Sequence, residues 1–157
     1  DVYKRQRPPL GPRSTTEQAA DGTDISRPDE ADEFMTDENV FILESWHSPL
    51  DPTLSIARGR RAPGATSVPH ILTGTAERYI IIEGEGELSL AGLGVRPVRA
   101  GDVVFFPPGR PPTVTNTGAT DLVLYALCTP PFDAATDVEL GEGVEVVDSG
   151  DPPDGPG

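Results

Sequence analysis

The segment that most constrains this chain is residues 64–86, GATSVPHILTGTAERYIIIEGEG. Its centre, ERYIIIE at residues 77–83, is short, β-branched and aromatic, and it stops at Gly84 and Gly86. A run that short between glycines predicts a β-strand rather than a helix. A second β-favouring run rises to His70 before it, and Thr73-Gly74 is the turn between them, so the two runs are expected to form a hairpin. Side chains alternate across a strand. His70 and Leu72 therefore share one face, and Glu77, Tyr79 and Ile81 share one face of the second run, with Arg78 opposite. If the two faces coincide, His70 and Glu77 look into one interior.

The flanking sequence repeats the pattern. VFILES (residues 40–45), TLSIARGR (53–60), two short runs within 86–98 around Ala91-Gly92, residues 102–106, residues 112–116 and DLVLYALC (121–128) all read as strands. They are separated by turn signals at a spacing of about 8 to 12 residues, as in all-β sandwiches and barrels. Nothing between residues 34 and 131 has helical period. In the 53–60 strand, Leu54, Ile56 and Arg58 oppose Ser55, Ala57 and Gly59, and Arg60-Arg61 reads as a solvated turn. His47 falls in a loop marked by Ser48-Pro49 and is expected at the surface.

Residues 1–33 contain Pro8, Pro9, Pro12 and Pro28, one aromatic residue (Tyr3) and no apolar periodicity. Such a segment buries too little to offset chain entropy and is expected to be disordered. Its opening DVYKRQ is expected to be flanking sequence. Residues 34–133 form the expected folded domain, and residues 134–157 an acidic disordered tail. The net charge of −14 is concentrated there, because residues 133–157 hold eight acidic side chains and no basic one. Nucleic acid is excluded as a partner, since a phosphate-binding face needs clustered Lys and Arg. No apolar run approaches the roughly 18 residues that would span a bilayer, so no membrane partner is expected. The single Cys128 allows no internal disulfide and fits a reducing compartment, the cytoplasm.

Two sets of spaced residues resemble the cupin family. Gly64, His70, Glu77 and Gly84 fall in the register of its first motif, with Leu72 where a second histidine stands. Gly101, Pro107, Gly109 and Asn116 fall in the register of the second, with Pro112 at its histidine position. The resemblance implies a small single-domain cupin barrel, a double-stranded β-helix of jelly-roll type, and a homodimer. It also implies an interior pocket drawn from His70, Leu72, Glu77, Tyr79, Pro112 and Asn116. Members with the full motif hold a divalent metal (Fe, Mn, Ni or Zn) through three histidines and one glutamate. Only His70 and Glu77 remain here, so the metal site is expected to be incomplete and metal binding disfavoured. The expected function is binding of a small molecule in the barrel interior. The alternative is an enzyme: a metal-dependent oxygenase or isomerase, or a metal-free acid–base catalyst using His70 with Tyr79. Cys128 is expected to be a small buried hydrophobe.

Overall fold

The computed structural model describes residues 15–68, 70–110, 112–134 and 137–139. Apart from a 3-10 turn at Glu30–Asp32, the regular structure of the described residues is all β. The strands are β1 (Thr15–Gln18), β2 (Asp24–Arg27), β3 (Phe34–Met35), β4 (Phe41–Trp46), β5 (Ser55–Arg61), β6 (His70–Leu72), β7 (Ala76–Glu83), β8 (Glu85–Leu90), β9 (Gly94–Arg99), β10 (Val103–Phe106), β11 (Thr113–Asn116), β12 (Leu122–Thr129) and β13 (Asp137–Glu139). A six-stranded sheet in the order β10-β7-β12-β5-β4-β3 faces a three-stranded sheet in the order β11-β8-β9. The core lies between them. Ile81, Phe106, Leu122 and Leu124 come from the larger sheet, and Leu88, Val98 and Val114 from the smaller. Strand alternation supplies these residues, as on β8, where Gly86 and Leu88 turn inward and Glu85, Glu87 and Ser89 outward. The architecture is the expected double-stranded β-helix.

Two glycines make the crossing between sheets possible. Gly84 joins β7 to β8 at a φ of 80°, and a Cβ there would sit 2.5 Å from the Asp121 carbonyl oxygen. At Gly86 a Cβ would sit 2.5 Å from the Thr115 carbonyl oxygen. No larger residue fits either approach.

Three expectations are corrected. The runs around Thr73-Gly74 do not pair as a hairpin. β7 already has β10 on one edge and β12 on the other, so β6 pairs instead with β13. Within the segment expected to be disordered up to residue 33, residues 15–33 are folded; residues 1–14 lie outside the described residues. β1 and β2 form a hairpin whose turn is closed by Asp21 Oδ1, which accepts from Thr23 N–H at 3.0 Å. The expected tail, 134–157, contributes β13; its remainder from residue 140 lies outside the described residues.

Ion pairs on β5 explain why the N-terminal segment docks. Arg58 Nη1 donates to Glu30 Oε1 at 2.6 Å and its Nη2 to Glu33 Oε2 at 2.9 Å. Arg60 donates to Glu33 and, at 3.0 Å, to Asp121, while its guanidinium lies 4.2 Å over the Phe41 ring. Glu30 is largely solvated and adds little, whereas Glu33 is only 13% exposed between two guanidiniums. Composition could not reveal this, because the partners are some 27 residues apart.

Candidate functional site

The inward alternation of β7 brings Glu77 and Tyr79 to one end of the barrel, next to the buried Ile81. β12 pairs beside it, with Cys128 opposite Glu77 and Ala126 opposite Tyr79. β6 adds His70 and Leu72, and the approach to β11 adds Pro112. These residues line one cavity of about 80 Å³ together with Glu38, Arg61, Ser67, Val68, Val114 and Phe132. The lining mixes polar side chains (Glu38, Arg61, His70, Glu77, Tyr79) with apolar ones (Leu72, Pro112, Val114, Phe132).

Five of the six residues expected in the pocket therefore line it, and Asn116 does not. Asn116 is buried, and its Nδ2 donates to the carbonyls of Arg61 at 2.9 Å and Thr120 at 2.8 Å. Its Oδ1 accepts from Gly118 N–H. It ties the end of β5 to the turn after β11, which is structural work.

Arg61 and Glu38 are the residues that sequence reading missed. Arg61, expected to be solvated, is 5% exposed. The alternation of Ser55, Ala57 and Gly59 continues to position 61, opposite the outward Arg58 and Arg60, so parity could have found it. Its Nη1 donates to the carbonyl oxygens of Glu38 at 2.9 Å and Asn39 at 3.2 Å. That holds the turn 36–39, in which Asn39 adopts a φ of 62°. The same turn directs Glu38 Oε1 to within 3.5 Å of His70 Nδ1.

Burial sets the protonation of the remaining groups. Desolvation raises the Tyr79 phenol well above its ordinary value, and the neighbouring Glu77 carboxylate adds to the shift. Its ring meets Phe106 edge-on at 4.8 Å. Burial, again with Glu77, pushes the Cys128 thiol up to about 12. Cys128 Sγ lies 3.8 Å from Glu77 Oε1. Both groups are neutral near pH 7, the thiol a weak donor to a carboxylate. Arg78 points outward over the Phe105 ring at 5.2 Å, and His47 is exposed. Among the described residues, no three His, Cys, Asp or Glu side chains are grouped so as to hold a metal ion.

Comparison with known proteins decides the family. A family model for the cupin domain matches residues 58–128. The chain is 30% identical to a Cupin 2 conserved barrel domain protein from Salinispora arenicola, over 70% of this chain and 89% of that one, with a TM-score of 0.57. The chain is a cupin. This cupin is also 39% identical over 71 residues to the oxalate-binding protein of Thermotoga maritima, which is 45% of this chain and 58% of that protein's length. It thus spans under two thirds of that relative. A structure of a substituted form of Streptomyces PAC13 with uridine shares the fold at 14% identity, with a TM-score of 0.56 over 66% of this cupin and 78% of that chain.

Proposed function

We propose that this cupin binds a small amphipathic organic molecule in the barrel interior and does not require a metal. The observation that carries the reading is the mixed lining of the cavity. Leu72 and Pro112, at the two positions where the family's motif has histidines, offer carbon surface, while His70, Glu38, Arg61 and Tyr79 offer polar groups in the same cavity. A volume of about 80 Å³ is far below the roughly 300 Å³ or more that drug-sized ligands occupy. The guest therefore has only a few heavy atoms. A small carboxylate is the first class to try, given the relative named for oxalate. For a metal the donor set does not fit: Glu38 and Cys128 share the cavity with His70 and Glu77, yet among the described residues no three such side chains are grouped to hold an ion, where catalytic sites keep three ligands, and the side chains of Leu72 and Pro112 have no lone pair to give.

A second reading rests on the 3.5 Å approach of Glu38 to His70. A carboxylate on one imidazole nitrogen orients the ring as a general base, with the neutral Tyr79 in the same cavity as an acid. In that case His70→Gln abolishes turnover while leaving guest binding in place.

We also propose a homodimer through the outer face of the large sheet. Val103 and Phe105, 65% and 56% exposed on the edge strand β10, support it. A cytoplasmic setting is proposed from the single, unpaired Cys128. None of the described helical residues forms a helix long and apolar enough to cross a membrane.

The test is a thermal-shift panel of small mono- and dicarboxylates against neutral isosteres. A guest that binds the folded barrel raises its melting temperature with concentration, and Leu72→Asp should abolish the rise. A flat response across the panel, with the protein folded, would contradict the reading.

A further inference from the structure

Cys128 is the single cysteine of the chain, and neither guest binding nor base catalysis by His70 uses it. Its register on β12 sets it opposite Ser55 on β5 and opposite Glu77 on β7. Sγ lies 3.8 Å from Glu77 Oε1, so the thiol donates to a carboxylate that can take its proton. Ser55 Oγ accepts from Phe132 N–H at 2.8 Å, which leaves its own hydroxyl proton for the sulfur. That hydrogen bond favours the thiolate. The sulfur is therefore held between a proton acceptor and a proton donor, in the wall of the cavity.

Tyr79 adds a donor to the same cavity. It stands two positions along β7 from Glu77, opposite Ala126, and both line the space that Cys128 lines. Its ring is set edge-on against Phe106 at 4.8 Å, and among the described residues its hydroxyl makes no hydrogen bond. Desolvation keeps that phenol neutral, so it is an O–H donor in want of an acceptor. A nucleophile with its base and a neutral donor match the two ends of a carbonyl, carbon for the sulfur and oxygen for the phenol. The cavity of about 80 Å³ admits only a few heavy atoms. A short aldehyde suits it, because addition of a thiol to an aldehyde expels no leaving group.

We propose that Cys128 captures a short-chain aldehyde as a reversible hemithioacetal inside the barrel. Sγ bonds to the carbonyl carbon as the C=O π pair moves onto oxygen. The thiol proton passes to Glu77 and from there to that oxygen, which the Tyr79 O–H stabilises. Nothing is oxidised or reduced, and the reverse steps release the aldehyde. The base at hand is what makes the step feasible, since burial pushes the thiol up to about 12 and leaves little thiolate for reagents in solution. This activity goes beyond guest binding and holds whether or not the cavity also takes carboxylates.

The experiment adds acetaldehyde, labelled with carbon-13 at its carbonyl, to the full chain and follows that carbon by NMR. Wild type should give a protein-bound tetrahedral signal approaching one equivalent, and Cys128→Ala should give none. Amine adducts are told apart: Lys4 is the single lysine, and an adduct there or at the N-terminus is fixed by cyanoborohydride and read in the intact mass, whereas a hemithioacetal is not. Glu77→Gln should keep the bound fraction within about twofold while slowing exchange between free and bound aldehyde about a hundredfold, as loss of a general base does. A purely structural role for Glu77 would not split rate from equilibrium in this way. If a variant fails to fold, wild type decides alone: acetaldehyde should slow labelling of Cys128 by methyl methanethiosulfonate in proportion to its occupancy. No bound signal in wild type, a bound signal that survives in folded Cys128→Ala, an unchanged exchange rate in folded Glu77→Gln, or labelling that acetaldehyde leaves unchanged would each overturn the proposal.

Discussion

Glu38 Oε1 and His70 Nδ1 meet at 3.5 Å although 31 positions separate them in the chain, because Arg61 holds the turn that carries Glu38. The side-chain contact in the cavity depends on a backbone clamp. A buried guanidinium is costly unless its N–H groups are matched, and here two main-chain carbonyls accept from its Nη1.

Arg61→Met should therefore destabilise the fold by about 2 to 4 kcal/mol, since it strands buried carbonyls and unbalances buried charge. Arg110→Met, at a small recess that His70 and Leu72 also line, should cost less than about 1 kcal/mol. Urea midpoints of the two variants check this, and equal losses would mean that the clamp does not organise the turn.

Gly84→Ala should cost at least about 2 kcal/mol, through a left-handed backbone and a clash with the Asp121 carbonyl. Gly74→Ala shares the positive φ but meets nothing within 4 Å. Its smaller loss isolates the backbone component. Thermal unfolding of the pair gives the difference directly.

Acid should loosen the docking of residues 30–33 on β5 first. Hydrogen bonds from Arg60, then Arg58, hold Glu33 below its ordinary value of 4.5. A depressed carboxylate contributes stability above its unfolded pKa and loses it as pH falls through the folded one. The loss thus begins near 4.5 and deepens below it. Glu33→Gln should be less stable than wild type at pH 7 and show a flatter decline between pH 5 and pH 3. Parallel curves for the two proteins would remove Glu33 from the docking account.

Local periodicity carried much of this structure. ERYIIIE announces its own alternation, and the structure sets Ile81 in the core with Glu77 and Tyr79 on the cavity. The spaced glycines marked places where backbones approach, as Gly84 demonstrates. What could not be read was decided between strands. β6 lost its hairpin partner because both edges of β7 were taken. Residues 30–33 dock because Arg58 and Arg60 sit outward on β5, which no local composition reports. Arg61 was within reach of strand parity, but Glu38 was not: its place in the cavity follows from carbonyls of the folded turn that Arg61 holds.

The central claim is that the interior is an organic pocket rather than a metal centre, and metal content per chain tests it most directly. Protein purified without metal-affinity steps and dialysed against a weak chelator should contain well below one equivalent of Fe, Mn, Ni or Zn. Leu72→His with Pro112→His should then retain about one equivalent, because three imidazoles and Glu77 complete a coordination set. Wild-type protein that keeps one tightly held metal per chain after the same treatment would contradict the account, and would make Glu38 or Cys128 a ligand beside His70 and Glu77.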